Sequence, residues 1–351
     1  MTLHIFNPEH DLALASDKAT FTPPHAARQL GYDIGYIPAL WASSGDAVLV
    51  ENKEKAEREF AKVRSMISKY DVNTKDVLFV EPKELNELSI SNIQPWGWDS
   101  SLAYKLDKYG VSSELLPDNV KLQHIRYLSH RKTSAQLLSK LNKLDNTIGE
   151  SFTCNCLEEV EDLLSKYTNI VIKAPWSSSG RGLRFGIGYL TDHQRGWIRN
   201  IITKQGVLMV EPYYNKVKDF GMEFSITNNG LAEYLGLSMF DTHNGAYTGN
   251  LLTTESTKQE MLSRYLDIQT LDNVRSMICK QLPVLLKGYE GPVGVDMMVL
   301  HDRMIHPCVE INLRRTMGHV ALNISPRIDD IIKVMRIEMI NTNYKLKIKQ
   351  V

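Results

Sequence analysis

Lys173 ends an apolar stretch, Ile170 to Ile172, and stands directly before Ala174-Pro-Trp-Ser-Ser-Ser-Gly-Arg-Gly182. Backbone N–H groups and hydroxyls of such a loop, with Ser177, Ser178, Ser179, Gly180 and Gly182 in it, can surround phosphate oxygens while the ammonium neutralises their charge. That is a nucleotide-phosphate site in outline, although a plain surface loop after an edge strand has the same composition. A second constellation lies further along the chain. In Glu310-Ile-Asn312-Leu-Arg314 a period of two puts Glu310, Asn312 and Arg314 on one strand face and Ile311 and Leu313 on the other. With a turn at His301-Asp302-Arg303, Leu300 pairs with Met304 and Asp296 falls opposite Cys308, which makes Glu310 its diagonal neighbour at roughly 7–8 Å. Asp296, Glu310 and Asn312 are ligand types for Mg2+, whose octahedron substrate phosphates complete, with Mn2+ as the alternative ion. An exposed hairpin with a solvated polar face is the competing reading, and the apolar opposite face speaks against it.

A third feature is the apolar run Val207 to Val210, which leads straight into Glu211-Pro-Tyr213-Tyr214, with Glu223-Phe-Ser-Ile226 following. An acid at a strand end can accept from an exocyclic amine or a ribose hydroxyl, and nearby backbone groups can read an adenine edge. Other nucleotide and hydrolase signatures are missing. There is no GxxxxGK[ST], no third glycine after Gly180-Arg-Gly182, no HExxH and no GxSxG, and Asp219-Phe-Gly221 occurs without an H-R-D loop upstream.

The elements that must position these residues follow from periodicity. Leu3 to Phe6 reads as a strand, residues 51 to 70 as a surface helix with Phe60, Val63, Met66 and Ile67 on one side, Val77 to Val80 as a strand and Leu102 to Tyr109 as a helix. This alternation predicts an α/β domain over residues 1–125. Helical spacing continues in Thr133 to Leu144 and Leu157 to Tyr167, and strands follow at Val207 to Val210, Phe224 to Thr227 and Leu231 to Leu237. Lys258 to Lys287 reads as a long helical region, Val293 to Leu300 with Met304 to Leu313 as a hairpin, and the chain closes in helices.

Composition limits the partners. Lys plus Arg number 41 against 41 Asp plus Glu among 351 residues, so net charge gives no pull toward nucleic acid or anionic membranes. With 43% hydrophobic and 23% charged residues, disorder as the main state is excluded. No run approaches the roughly 18 apolar residues of a membrane span, and no basic segment precedes an apolar core at the start, which predicts a cytoplasmic location. Cys154, Cys156, Cys279 and Cys308 form no CxxC pair, so neither a disulfide framework nor a structural zinc site is expected.

Taken in order, these pieces resemble the ATP-grasp superfamily over about residues 125 to 325. Ile172-Lys-Ala-Pro-Trp-Ser-Ser-Ser-Gly-Arg-Gly182 looks like its ATP lysine and phosphate loop, Met209-Val-Glu211-Pro-Tyr213-Tyr214 resembles its adenine hinge, and Glu223-Phe-Ser-Ile its ribose strand. Gly294-Val-Asp296 with Glu310-Ile-Asn312-Leu-Arg314 is similar to its magnesium site. An earlier ATP lysine is expected near a helix start, where Ser129-His-Arg131-Lys132-Thr-Ser offers Lys132, or Arg131. Either Asp219 or Glu223 would then meet the ribose. The fold implied is an N-terminal α/β domain followed by a two-subdomain α+β ATP-grasp unit, here 126–206 with the phosphate loop and 207–351 with the metal site. The activity implied is an ADP-forming ligase that joins a carboxylate to an amine through an acyl phosphate. The alternatives are a phosphotransferase of the same fold and a nucleotide-binding module without turnover.

Within that reading Lys173 and Arg314 stabilise the transferring phosphoryl group and Arg315 holds the substrate carboxylate. Two segments remain for the small-molecule substrates. Glu9, His10 and Asp11 follow the first strand, at the carboxyl end where ligands of open α/β sheets bind, and His243, Tyr247 and Asn250 lie in a Gly-rich polar stretch that reads as a loop closing over a polar substrate.

Overall fold

A computed structural model of the chain describes residues 1–70, 72, 74–177, 182–243 and 246–350, the side chains of His243 and Ala246 excepted. Four short apolar strands, β1 (Thr2–Ile5), β2 (Ala47–Leu49), β3 (Leu78–Val80) and β4 (Asn92–Pro95), pair in parallel in the order β3-β2-β1-β4. Parallel neighbours need crossovers, and the helix Lys53–Ile67 supplies the one from β2 to β3. Ala56, Phe60, Val63 and Ile67 recur along it every three or four residues and are its buried stripe, while the Asn52 side chain caps its start by accepting from the Lys55 N–H at 2.8 Å.

A second sheet is antiparallel: β5 (Phe152–Cys154), β6 (Asn169–Lys173), β7 (Leu183–Ile187) and β8 (Leu208–Pro212), in the order β5-β8-β6-β7. Ile170, Ile172, Leu208 and Val210 pack with the helices Leu157–Tyr167 and Asp192–Gln205. Alternation therefore leaves Lys173 and Glu211 on the other face.

The third sheet has seven strands, β9 (Lys216–Ile226), β10 (Ala232–His243), β11 (Ala246–Leu252), β12 (Gly291–Leu300), β13 (Ile305–Asn312), β14 (Lys333–Ile340) and β15 (Asn343–Gln350), in the order β13-β12-β9-β10-β11-β14-β15. Phe220, Met222 and Phe224 of β9, Val293, Val295 and Met297 of β12 and Leu237 and Met239 of β10 form one buried layer against the helices Arg131–Leu141 and Ile268–Leu285. The residues between them, Gly221, Glu223, Gly294, Asp296 and Ser238, face the other way.

Three expectations are corrected here. The helical region expected over Lys258 to Lys287 is two helices, Glu255–Ser263 and Ile268–Leu285, the second starting where the Asp267 side chain accepts from the Gln269 N–H at 3.1 Å. The stretch around Tyr247 and Asn250 is no free loop but the β10–β11 hairpin, with a register shift at Asp241 and Thr242. After Leu313 a single helix, Met317–Ile324, is followed by the β14–β15 pair instead of further helices. Tyr344, Leu346 and Ile348 alternate with lysines, and this period of two lets β15 lay one apolar face on the N-terminal core beside Phe60 and Ile34. Among the described residues no helix is long and apolar enough to cross a membrane.

Candidate active site

The β12–β13 hairpin brings the two acids closer than a regular ladder would. Val299 pairs with Ile305 and Met298 with His306, as the turn at His301–Arg303 requires, but the register then shifts and Asp296 stands directly opposite Glu310, not Cys308. Pro307 lies in the shifted segment and has no N–H for the ladder; prolines inside strands are confined to bulges and edges, and β13 is an edge strand. Asn312 Nδ2 donates to Asp296 Oδ2 at 3.1 Å, and the Arg314 guanidinium donates to Asn312 Oδ1 at 3.0 Å. Burial, reinforced by the Glu310 and Glu223 carboxylates, pushes Asp296 up to about 8 against the pull of Arg314 and Asn312. Among the described residues no three His, Cys, Asp or Glu stand close enough to enclose a metal ion by themselves. Two acids and an amide on one face instead fit a hard cation that takes its remaining oxygens from phosphate and water.

Lys173 and Glu211 are diagonal neighbours on the β6–β8 pair, and Lys173 Nζ lies 2.6 Å from Glu211 Oε2. The ammonium also donates to the Val309 carbonyl at 3.2 Å, and Ser151 Oγ donates to Glu211 Oε1 at 3.3 Å. Both charged groups are buried, so each holds the other in place. Tyr213 is exposed with its ring edge-on to Phe185, and Tyr214 packs edge-on against His306; neither lines the cleft that Asp296, Glu310 and Arg314 share.

Arg131, not Lys132, is the cation that the helix start delivers. Its guanidinium donates to the Ala174 carbonyl, to Ser177 Oγ at 2.9 Å and to Glu310 Oε1 at 2.8 Å, whereas Lys132, one residue further round the helix, is exposed. A Cβ on Gly182 would lie 2.1 Å from Ser177 Cβ, so glycine is what lets the base of the loop close, with Ala174 N–H donating to the Gly182 carbonyl at 2.8 Å. Ser178, Ser179 and Gly180 lie outside the described residues.

Glu223 is buried in a cradle made by two glycines. A Cβ on Gly318 would lie 1.8 Å from Glu223 Oε1, and one on Gly294 would lie 2.8 Å from Oε2. His319 Nδ1 is 2.9 Å from Glu223 Oε2, but that nitrogen accepts from the Thr316 N–H at 3.1 Å and the ring's Nε2 faces the Phe224 carbonyl at 3.2 Å. Glu223 Oε2 is left with no donor. Asp219 is engaged by Lys216 and, at 2.6 Å, by the Thr242 hydroxyl, and it does not line the cleft.

A cleft of about 440 Å³ has Asp11, Arg131, Ser177, Glu223, Asp296, Glu310, Asn312 and Arg314 on its polar side and Phe6, Leu30, Trp96 and Ile337 on its apolar side, whereas Lys173, Glu211 and Lys132 do not line it. Asp11 takes a two-pronged ion pair from Arg314, Nε to Oδ1 at 3.0 Å and Nη2 to Oδ2 at 2.9 Å. That pair holds the Asp11 carboxyl below its ordinary value although burial alone would raise it. Tyr247 donates to Asn250 Oδ1 at 2.6 Å and Asn250 to Ser238 Oγ at 2.8 Å, all three lining the cleft. Of the other expected substrate contacts, Glu9 pairs with Lys105 at 3.1 Å and His10 with Asp99 at 3.1 Å, both away from the cleft, and nothing is described of the His243 side chain. Arg315 points away from Arg314, over the Trp41 ring at 4.6 Å. Ser238 and Thr316 are cleft residues that sequence reading missed; the period of two along β10 was the available signal for the first.

No protein-family model matches the chain, and no curated protein does. Solved structures do. The chain is similar to N5-carboxyaminoimidazole synthetase from Staphylococcus aureus complexed with ADP, at 12% identity over 96% of this chain and 82% of that one, TM-score 0.51. It is also similar to the biotin carboxylase domain of 2-oxoglutarate carboxylase from Hydrogenobacter thermophilus, in complex with MgADP, ADP and bicarbonate, at 13% identity over 84% and 75% of the two chains, TM-score 0.53. The biotin carboxylase β,γ-ATP complex from Campylobacter jejuni matches at 11% identity over 96% and 75%, TM-score 0.50. The chain thus has the ATP-grasp fold, as the resemblance in its sequence implied.

Proposed function

We propose that this chain is an ATP-dependent, ADP-forming ligase that joins a carboxylate to an amine through an acyl phosphate, working in the cleft that Asp296, Glu310 and Arg314 line. The observation that carries the reading is two chains of contacts, Ser177 to Arg131 to Glu310 and Asp296 to Asn312 to Arg314, whose acids Glu310 and Asp296 stand opposite each other on the β12–β13 pair, so that the phosphate loop is tied to the acid pair. Nucleotides in the similar structures support ATP as the ligand of this fold.

In this reading Lys173, Arg131 and Ser177 contact phosphate oxygens and the free Glu223 Oε2 accepts a ribose hydroxyl. Magnesium held by Asp296, Glu310 and Asn312 would neutralise charge on the β- and γ-phosphates. A carboxylate oxygen of the substrate attacks the γ-phosphorus, the bond to the bridging oxygen breaks and ADP leaves. The amine then attacks the acyl carbon, loses a proton, and phosphate departs. Such transfers need positioning and charge neutralisation more than covalent chemistry from the protein. Arg314 is prepared for that by Asp11 and Asn312, which fix the plane of its guanidinium beside the acid pair. Asp11 is therefore a positioning residue for Arg314, and the acceptor lies against Tyr247, Asn250 and the apolar wall.

Pairs of free amino acids and short peptides, offered with ATP, magnesium and hydroxylamine, test the reading. ADP together with a hydroxamate marks the acyl phosphate. ADP without hydroxamate makes the chain a phosphotransferase, and nucleotide binding without ADP makes it a binding module; either result overturns the ligase assignment.

A further inference from the structure

A second cleft, of about 470 Å³, lies at the amino ends of β1 and β2, against the helix Met317–Ile324, and is lined by His4, Trp41, Asp46, Arg315, His319 and their neighbours. It is at the opposite end of the parallel sheet from the nucleotide cleft. Three of its side chains each carry a buried polar atom without a hydrogen-bond partner: His4 Nδ1, Trp41 Nε1 and Arg315 Nε. Buried polar groups are almost always paired, so three orphans around one space point to a polar occupant.

The chemistry of that occupant can be read from the walls. Arg315 stacks on Trp41, makes no side-chain hydrogen bond and pairs with no acid among the described residues, and burial lowers it to about 10. A guanidinium in that state, beside an indole N–H, is a donor set for a carboxylate. Arg315 is also the single cation among the described lining residues, which matches one negative charge rather than two. Across the cleft the polarity reverses. His4 Nε2 lies 3.1 Å from Asp46 Oδ2, and Asp46 accepts from the Thr2 and Ser43 N–H groups at 2.9 and 3.1 Å, which holds its carboxyl below the ordinary value against burial. With the Nε2 proton directed at Asp46, the Nδ1 lone pair is left to accept. Arg315 borders a neighbouring cleft as well, but Trp41 and His4 do not, so of the two only this cleft is lined by all three residues.

We infer that this cleft binds a small zwitterion of the α-amino-acid class, its carboxylate on the Arg315 guanidinium and the Trp41 N–H and its ammonium on His4 Nδ1 and the Asp46 carboxylate. The site does not depend on the reaction proposed above. It does touch that machinery: the Arg315 carbonyl accepts from Arg314 at 3.0 Å, and His319, which lines the cleft, lies against Glu223. An occupant is therefore placed to act on the nucleotide site as an effector.

Calorimetry and tryptophan emission on the full chain without nucleotide, with each common amino acid and with acetate, methylammonium and inorganic phosphate as single-function probes, decide it. At least one amino acid should bind, and bind roughly tenfold or more tighter than acetate or methylammonium alone. Arg315→Gln should abolish that binding. Trp41→Phe, which keeps the ring and removes the N–H, should weaken it several-fold while ATP binding persists, so the test holds even where Arg315→Gln does not fold. No amino acid binding at millimolar concentration, phosphate binding tighter than every amino acid, or binding unchanged in Trp41→Phe would overturn the site.

Discussion

The pairing of Lys173 with Glu211 makes the lysine's role separable from stability. Each is buried and each satisfies the other, so removing the ammonium alone leaves an uncompensated carboxylate in the interior. Lys173→Met should therefore lower thermal stability and weaken ATP binding together, whereas Lys173→Met with Glu211→Gln should recover stability without recovering ATP. A hydrogen bond to a charged group is worth about 1.5–3 kcal/mol, or roughly 10- to 100-fold in the ATP Kd by calorimetry. Wild-type ATP affinity in the folded double variant would remove Lys173 from the nucleotide site. Glu310 allows a parallel test, because glutamine keeps an oxygen for Arg131 to donate to while losing the charge. Glu310→Gln should melt below the wild-type temperature, because buried Arg131 loses its acid, yet stay folded, form ADP roughly 10- to 100-fold more slowly at fixed magnesium, and recover part of that loss as magnesium is raised. Full ADP formation at ordinary magnesium would exclude the acid pair as a metal site.

At the scale of elements, the helix Met317–Ile324 matters for what its first turn leaves out. Thr316 caps it by accepting from the His319 N–H at 3.2 Å, and Gly318 in that turn makes room for the Glu223 carboxylate. Alanine is the better helix former by about 1 kcal/mol, so propensity alone predicts that Gly318→Ala stabilises. The clash with Glu223 Oε1 at 1.8 Å and Ser238 Oγ at 2.5 Å predicts the opposite, an overpacking cost of about 1–3 kcal/mol and a displaced Glu223. We expect a lower melting temperature and weaker ATP binding; a gain in stability with unchanged ATP affinity would show that the cradle yields freely. The same scale explains what could be read in the sequence. Alternation along β12 and β13 was legible, because Val293, Val295 and Ile311 bury one face and leave Asp296, Glu310 and Asn312 on the other. Their register was not, since it turns on the bulge at Pro307, which period-two counting passes over. Arg314 and Arg315 are adjacent and chemically alike, and only the end of β13 at Asn312 and the Trp41 ring across the molecule decide that they part. The β14–β15 pair carried a period of two in its own residues, but the partner for its apolar face lies nearly the whole chain away, in the N-terminal core.

The whole molecule is closed by that last pair. Met335 and Leu346 join the core of Phe6, Ile34, Val48 and Phe60, so the end of the chain completes the layer over the first sheet and braces the cleft wall that Leu30, Ile337 and Tyr344 share. One buried acid ties the three elements together. Asp33, at the end of the helix His25–Ile34, accepts from Lys55 of the helix Lys53–Ile67, from the Gln29 side chain at 2.9 Å and from the Tyr344 N–H of β15 at 2.7 Å. Burial works against its charge, but these donors outweigh it and hold the carboxyl below its ordinary value of 3.8. A carboxyl depressed on folding contributes its full stabilisation above the unfolded value and loses it as the pH falls through the folded one. Breaking a buried ion pair from one side costs about 3–5 kcal/mol, and Lys55, with 16% of its side chain exposed, sets the lower end of that range here. Asp33→Asn should therefore lower the urea midpoint clearly at pH 7, and the gap from wild type should shrink as the pH drops below 3.8. Because the same contact anchors β15 beside Tyr344, ATP binding at pH 7 should weaken in step with the midpoint. A gap that stays constant between pH 7 and pH 3 would show that the Asp33 charge contributes nothing, and that shape alone joins the two ends of the chain.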